Sequence, residues 1–185
     1  MTDITFEPLA ESHFGLLLHW LEKPHVKAWW DKDIKWTPSL IQKKYADYIN
    51  GYKKLILQGK MIKNPIYAFI IVFKKIPIGY IQYYNVHDFP REQSYYDTLE
   101  LPVSCAGLDW YIGETVFIGK GVGTKAFDGF LKQHIFPSFN YVFVDPDTDN
   151  ITAISVYKKI GFEVIKKVND GRIMCMLYSK YSKAS

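Results

Sequence analysis

The feature that most constrains the fold is a cluster of three glycines within five positions, residues 119–123. Apolar residues at helical spacing follow the cluster, and the apolar segment 141–144 comes after that helix. Another strand is predicted before the cluster, at residues 107–112. Strand, glycine turn, helix and strand in this order predict a crossover connection, because parallel strands cannot be joined by a short turn.

Further strands and helices are predicted on both sides of this crossover. Ser12 is predicted to cap the first helix, which ends at Pro24, and Gly161 is predicted to end the last helix. Residues 85–104 are predicted to form a long functional loop, with disorder as the alternative. The predicted strands are 4–9, 66–73, 78–84, 107–112, 141–144, 162–167 and 172–178, with hairpin connections at 74–77 and 169–171, and the predicted helical segments lie at 14–21, 26–30, 40–49, 126–135 and 151–160. The chain therefore predicts one domain, residues 1–185, with a mixed sheet and helices on its faces.

Composition argues against several classes of function. The formal charge of +4 comes from scattered lysines, without the basic stripe typical of a nucleic-acid surface. The acidic start and the absence of an apolar run of membrane-spanning length predict a cytoplasmic protein with no membrane partner. Cys105 and Cys175 form no CxxC pair and no HExxH motif occurs, so neither a disulfide framework nor a metal site is predicted.

The glycine cluster predicts a site for a phosphate group. Backbone N–H groups in the first turn of a helix have no partner within the helix, and glycines let an anion approach them closely. Lys120 adds a positive charge, which favours a pyrophosphate. A purely structural glycine turn is the alternative. The spacing fits neither a P-loop nor a dinucleotide-binding fingerprint well.

Three segments and a few single residues form one recognisable pattern. They are Gly107-Leu108-Asp109-Trp110-Tyr111-Ile112-Gly113, Gly119-Lys120-Gly121-Val122-Gly123-Thr124-Lys125 and Tyr157-Lys158-Lys159-Ile160-Gly161-Phe162, with Asp145-Pro146, Asn150 and Ala153. On these residues the chain resembles the GNAT acetyltransferase superfamily, and more narrowly the aminoglycoside 6'-N-acetyltransferases. The resemblance implies the α/β GNAT fold, a central twisted mixed β-sheet of six or seven strands flanked by about four helices.

The resemblance also implies acetyl-CoA as the co-substrate, with no metal. The strand at Tyr111, Ile112 and Gly113 would pair with the pantetheine arm, Asn150 would hydrogen-bond the same arm, and Tyr157 would face the thioester sulfur. The pyrophosphate would be held at Lys120, Gly121, Val122, Gly123 and Thr124. The amine would then attack the acetyl carbonyl directly, which agrees with the absence of a motif for a covalent nucleophile.

Carboxylates are expected where a polycationic amine must bind. Asp109 is the predicted catalytic carboxylate: strand alternation points Asp109 and Tyr111 to one face, and the resemblance places Asp109 near the acetyl group. We expect it to anchor the 6'-ammonium and accept its proton, and Tyr157 to protonate the departing thiolate. The predicted substrate-binding residues are Trp30, Tyr96, Asp97, Asp109, Asp145 and Asp170. Ordinary packing is the alternative for the aromatic residues, and capping of the next helix is the favoured interpretation of Asp147 and Asp149.

The sequence therefore predicts an acetyl-CoA-dependent N-acetyltransferase that acts on the 6'-amino group of aminoglycosides. Acetylation of another small amine, such as a siderophore hydroxylysine or a polyamine, is the first alternative. A non-catalytic CoA-binding module is the second. The oligomeric state is left open between monomer and homodimer.

Overall fold

The computed structural model describes residues 3–91 and 93–181. Its strands are β1 (Ile4–Pro8), β2 (Tyr52–Leu57), β3 (Lys60–Pro65), β4 (Tyr67–Phe73), β5 (Ile76–Asn85), β6 (Cys105–Ile112), β7 (Tyr141–Val144), β8 (Glu163–Val168) and β9 (Ile173–Ser179). Seven of them form one mixed sheet in the order β1-β4-β5-β6-β7-β9-β8, and β2 pairs with β3 in a separate hairpin. The predicted mixed sheet of six or seven strands is confirmed.

Five α-helices lie within the described residues. They are α1 (Phe14–Leu21), α2 (Pro24–Lys27), α3 (Pro38–Tyr45), α4 (Val122–Phe130) and α5 (Ile151–Ile160), and a π-helical turn, Leu131–Ile135, continues α4. None of the helices in this part of the chain is long and apolar enough to cross a membrane.

Internal contacts divide the chain into two compact units. The first comprises Met1–Tyr84 and Asp109–Lys120, and the second comprises Asn85–Leu108 and Gly121–Ser185. Strand β6 therefore contributes its first half to the second unit and its second half to the first unit. The single domain over residues 1–185 stays a prediction.

In the first unit, β4 pairs antiparallel with both β1 and β5. The turn between β4 and β5 is shorter than predicted, because Phe73 pairs with Ile76 and only Lys74 and Lys75 remain unpaired. Both lysines have positive φ, 49° and 66°. Two such residues form the turn whose twist matches an antiparallel pair.

Two predictions about the first helices are wrong. Ser12 does not cap α1, because residues 11–13 form a 3-10 turn and α1 starts only at Phe14. Pro24 does not end α1, which stops at Leu21; it lies in the first turn of α2, where the missing N–H group has no cost.

In the second unit, β6 and β7 are parallel and joined through α4, which confirms the crossover. β9 pairs antiparallel with β7 and β8, and α5 ends at Gly161, whose φ is 108°. Val86, Cys105, Phe143, Val168 and Cys175 form a buried core cluster. Side chains of the predicted 85–104 loop pack against this cluster, including Tyr95, Tyr96, Leu99 and Leu101. The loop is therefore ordered by burial of its own apolar residues.

Candidate functional site

A hydrogen-bonded relay in the first unit leads to Asp109. The Tyr80 hydroxyl donates to Gln82 Oε1 at 2.6 Å, and Gln82 Nε2 donates to Asp109 Oδ2 at 2.9 Å. Gln82 is buried, with 8% of its surface exposed. A buried amide is stable only when its polar atoms are paired, so this relay fixes both the amide and the carboxylate. Tyr80 and Gln82 alternate along β5 and so lie on one face of the sheet, and the bond from Gln82 places Asp109 of β6 on the same face.

Aromatic rings line the same face. Tyr80 and Tyr111 stack with their centroids 5.6 Å apart, and Trp30 meets both edge-on, at 5.9 and 5.0 Å. Burial raises the pKa of Tyr80 and Tyr111 well above the usual tyrosine range. The Tyr111 hydroxyl is buried and has no hydrogen-bond partner among the described residues. Such an atom is rare in a folded protein, which makes this face a candidate for a polar ligand.

The end of β6 is held by α1 and α2. Trp20 Nε1 donates to Glu114 Oε1 at 2.7 Å, and Lys23 Nζ lies 3.0 Å from Glu114 Oε2. These two donors lower the pKa of Glu114. A Cβ added to Gly113 would lie 2.2 Å from Trp20 Cγ, so only glycine fits beneath this indole.

Backbone groups at this end of β6 already have partners. The Gly113 N–H donates to Ile78 O at 2.8 Å. The Ile112 carbonyl accepts a hydrogen bond from His25 Nε2 at 3.0 Å, which places a proton on that nitrogen. Because successive strand residues direct their N–H groups to opposite edges, the N–H groups on the edge away from Ile78 belong to Trp110 and Ile112.

The glycine cluster forms the N-terminus of α4 and the turn before it. Gly119 and Gly121 both have φ of 74°, a conformation that favours glycine, and a Cβ at either position would meet nothing within 4 Å. Gly121 is the N-cap of α4 and offers no side chain to its first N–H groups. The backbone donors at Val122, Gly123 and Thr124 are thus not covered by a capping side chain, which fits an anion such as a pyrophosphate.

Asn150 directly precedes α5, the last helix of the second unit, and Tyr157 lies on it. Asn150 Oδ1 accepts the N–H of Ala153 at 3.1 Å and so caps α5. The expectation that Asp147 or Asp149 caps this helix is wrong: Asp147 Oδ1 instead accepts the N–H of Asp149 at 2.8 Å. Tyr157 is buried and packs against Phe127 and Phe162, with centroids 5.4 Å away in each case.

A second supported carboxylate lies in the second unit. The Tyr96 hydroxyl donates to Asp145 Oδ2 at 2.5 Å. The Arg91 guanidinium lies 4.6 Å from the centroid of Phe143 and 5.5 Å from that of Tyr96. Burial raises the pKa of Asp145, while the Tyr96 bond and the charge of Arg91 act in the opposite direction. Burial and the negative charge of Asp145 also raise the pKa of Tyr96.

A family model described as an acetyltransferase (GNAT) domain matches residues 10–170. The chain belongs to the GNAT acetyltransferase family. The predicted family and fold class are confirmed, and the protein is an acetyltransferase by family.

Relatives of this GNAT protein include two aminoglycoside N(6')-acetyltransferases of type 1, from Klebsiella pneumoniae and Serratia marcescens. Each is 25% identical to it over 163 residues, which covers 86% of this chain and 74% of the relative. A solved structure of AAC(6')-Ib with ribostamycin and coenzyme A has a TM-score of 0.77 at 23% identity, covering 98% of this chain and 99% of that one. An uncharacterised protein from Bacillus halodurans has a TM-score of 0.75 at 20% identity, covering 95% and 83%.

Within each unit of the GNAT protein, the structure brings some predicted residues together. Trp30, Tyr111 and Asp109 lie around one aromatic face of the first unit, and Tyr96 is bonded to Asp145 in the second. Asp97 and Asp170 are exposed on turns. Among the described residues, no group of three or more His, Cys, Asp or Glu side chains is arranged to hold a metal ion.

Sequence reasoning missed three residues of these sites: Tyr80, Gln82 and Arg91. A signal for Gln82 was available, since it is a polar residue at an alternating position of an otherwise apolar strand. Arg91 had no comparable signal, because its ring contacts depend on how residues 85–104 fold back on the core.

Proposed function

We propose that this GNAT protein transfers the acetyl group of acetyl-CoA to the 6'-amino group of an aminoglycoside, by direct attack in a ternary complex. The observation that carries the proposal is the Asp109 carboxylate, held by Gln82 on a face that Trp30, Tyr80 and Tyr111 line. A carboxylate among flat apolar rings suits an aminosugar, whose ring is partly apolar and whose amine is cationic. The names of the Klebsiella and Serratia relatives support the same substrate class.

Asp109 would act on the amine as anchor and proton acceptor. An ammonium group has no lone pair for attack, so it must lose a proton, and Asp109 is the proposed acceptor. A free Asp has a pKa of about 3.9, which makes it a weak base toward an ammonium. Asp109 therefore contributes most by binding the cation and taking one of its protons, which frees the lone pair for attack. The amine loses a second proton as the N–C bond forms and the C–S bond breaks, and this proton balances the one that Tyr157 gives to the thiolate.

Tyr157 would supply the proton that the leaving thiolate of CoA needs. A thiolate formed in a water-poor pocket requires a donor within hydrogen-bond reach. Tyr157 also packs in the core against Phe127 and Phe162, so its ring is held rigidly. Rigid packing is what a positioned proton donor requires.

Acetyl-CoA would be held mainly by backbone groups of the second unit. The open N–H groups from Gly121 to Thr124 fit the pyrophosphate, and Lys120 adds charge. Asn150 uses only its Oδ1 for the helix cap, so its side-chain N–H groups can donate to the pantetheine arm. Since the Gly113 N–H is bonded to Ile78, pairing of the pantetheine with β6 would use the opposite edge, on which the Ile112 N–H lies.

The other ammonium groups of an aminoglycoside would meet carboxylates outside the relay. Asp145, Asp97 and Asp170 are the assigned partners, with Tyr96 and Trp30 as aromatic contacts. Asp145 differs from the other two because it is hydrogen-bonded and partly buried. We expect it to contribute more to substrate affinity than the exposed Asp97 and Asp170.

The test is thiol release from acetyl-CoA with different amines. We expect release with kanamycin or tobramycin and much less with spermidine or hydroxylysine. An aminoglycoside that carries a hydroxyl at position 6' is the matched control and should give no 6' product by mass spectrometry and NMR. Thiol release with spermidine or hydroxylysine but not with aminoglycosides would show that the proposed substrate is wrong. If no amine gave thiol release, the enzymatic function would be excluded.

A further inference from the structure

The first unit contains an ammonium group held by a carboxylate and three aromatic rings. Lys44 Nζ lies 2.7 Å from Asp31 Oδ2. The same nitrogen lies 5.9 Å from the centroid of Trp30, 5.1 Å from that of Trp36 and 5.5 Å from that of Tyr45. A carboxylate with rings within about 6 Å is the arrangement by which proteins bind alkylammonium ligands. We call these four residues, Trp30, Asp31, Trp36 and Tyr45, the ammonium seat.

The ammonium seat shares its walls with the Asp109 face. Trp30 contacts Tyr80 and Tyr111 edge-on, and Tyr45 contacts Tyr80 with centroids 5.8 Å apart. Tyr80 in turn is the first member of the relay that ends at Asp109. Trp30 and Tyr45, which lie beside Lys44, therefore also pack against the tyrosines of the proposed acceptor site.

Electrostatics also link the two carboxylates. Burial raises the pKa of Tyr48, and the negative charges of Asp109 and then Asp31 raise it further. Tyr45 and Tyr111 show a raised pKa with Asp31 among the causes after burial. Asp31 and Asp109 thus act on one cluster of tyrosines.

We propose that the ammonium seat is a second cation subsite of the acceptor site, and that Lys44 occupies it as a tethered ammonium. This inference rests on the proposed function. A substrate ammonium that reaches the seat must displace Lys44, so Lys44 is a specificity-determining residue. It selects against acceptors that carry a further ammonium group near the amine being acetylated.

Displacement of Lys44 is physically feasible because the pair is only partly buried. Both side chains are 30% exposed, and ion pairs of this exposure contribute little to stability. The flexible lysine stem can move its charge into water without breaking the helix, since Lys44 lies in the last turn of α3. A substrate cation would then keep the same carboxylate and rings.

The kinetic test removes the tethered charge and keeps its stem. In Lys44→Met, we expect KM for a polyamine-type aminoglycoside to fall about two- to fivefold, the range for a cation contact that stays partly exposed, with kcat within about twofold. KM for an aminosugar with a single amine should not change. The matched control is Lys43→Met, which removes the same charge from an exposed neighbour on α3. Equal effects of the two substitutions would overturn the proposal.

A double variant shows whether the fall in KM depends on the charge of Asp31. Adding Asp31→Asn to Lys44→Met should abolish the fall in KM, and Asn tolerates the positive φ of 49° at this position. Melting temperatures of all variants establish that they fold. A gain that persists without the Asp31 charge would contradict the ammonium seat.

Direct binding separates this inference from the proposed function. Isothermal titration with 1,5-diaminopentane needs neither acetyl-CoA nor turnover, and should give tighter binding to Lys44→Met than to Lys43→Met or the double variant. If aminoglycosides release no thiol but the diamine result holds, the seat is correct and the proposed substrate is wrong. If aminoglycosides are acetylated but neither KM nor diamine binding responds to Lys44→Met, the seat is wrong.

Discussion

Asp109 in the first unit and Asp145 in the second are both supported carboxylates, but their supports differ. Asp109 accepts from the Gln82 amide, which is itself fixed by the Tyr80 hydroxyl. Asp145 accepts directly from Tyr96 and lies near the charge of Arg91, while burial raises its pKa. The hydrogen bond from Gln82 fixes the position of Asp109, whereas burial raises the pKa of Asp145 against the effect of Tyr96 and Arg91.

The difference agrees with a division of work between the units. A residue that takes a proton from the reacting amine needs a fixed position. A residue that only attracts a distant ammonium needs charge but less geometric accuracy. We therefore expect changes near Asp109 to act on turnover and changes near Asp145 to act on binding and stability.

The largest effect is expected for Asp109→Asn. Asn keeps the shape and can still accept from Gln82, but it cannot take a proton, so kcat should fall about 10²- to 10⁴-fold. Affinity for CoA, measured by isothermal titration, should change much less. Asp128→Asn is the matched control, since Asp128 lies on α4 and pairs with Lys132 at the surface. Equal losses of turnover and CoA affinity would contradict the role of Asp109.

A smaller loss is expected when the relay is broken at Gln82. Gln82→Leu removes the acceptor that Tyr80 uses and should cost about 1–3 kcal/mol of unfolding free energy, measured by urea denaturation, together with about tenfold in kcat.

The variant Gln82→Glu tests positioning against simple stability. Glu keeps an acceptor for Tyr80 but places a second carboxylate beside Asp109, which should move the acidic limb of the kcat profile to higher pH. An unshifted profile with the same loss of stability would leave Gln82 a purely structural role.

In the second unit, Asn150 allows its cap to be separated from its proposed contact with CoA. Asn150→Ala should lose about 1 kcal/mol of stability, because the N–H of Ala153 loses its acceptor. Asn150→Asp should keep the cap and the stability, yet lose CoA affinity, because it has no side-chain N–H to donate. Normal CoA binding by Asn150→Asp would show that the pantetheine contact is misassigned.

The smallest effect is expected for Asp145→Asn, and it should depend on pH. The folded-state pKa of Asp145 is raised above 3.8, so the folded state binds the proton more tightly than the unfolded state does. That contribution to stability is present below pH 3.8 and is lost as the pH rises through the raised value. The Asn side chain cannot be ionised, so the variant does not lose this stability as the pH rises. Its Tm relative to that of the natural protein should therefore increase between acid and neutral pH, by less than about 4 °C. If the difference in Tm between the two proteins stayed constant across this pH range, the raised pKa of Asp145 would be wrong.

The sequence predicted the second unit better than the start of the first. The strand at 141–144 and the helix at 151–160 were predicted with the bounds that the structure has, because both have regular apolar periodicity and the helix has a terminal glycine. The β2–β3 hairpin was missed. Its strands are mostly exposed and their sequence lacks a regular apolar alternation, and its turn, Gln58-Gly59, lacks the Asn or Asp that usually marks such turns.

The candidate site was predicted as a set of residues but not as a set of contacts. Asp109 and Tyr111 followed from strand alternation and resemblance, and the structure places them on one face. The relay through Gln82 depends on the register between neighbouring strands, and the pairing of Lys44 with Asp31 depends on where α3 lies. Neither is encoded in local periodicity, and both arise from tertiary packing.

The two buried thiols have a practical consequence for the colorimetric test of turnover. Cys105 and Cys175 lie in the core of the second unit, and burial raises their pKa to about 12 and about 11. Only the thiolate form attacks disulfide reagents, so both side chains react slowly at neutral pH. The folded protein should contribute almost no background to such an assay, and a sudden rise in reactive sulfhydryl groups would report unfolding of the second unit.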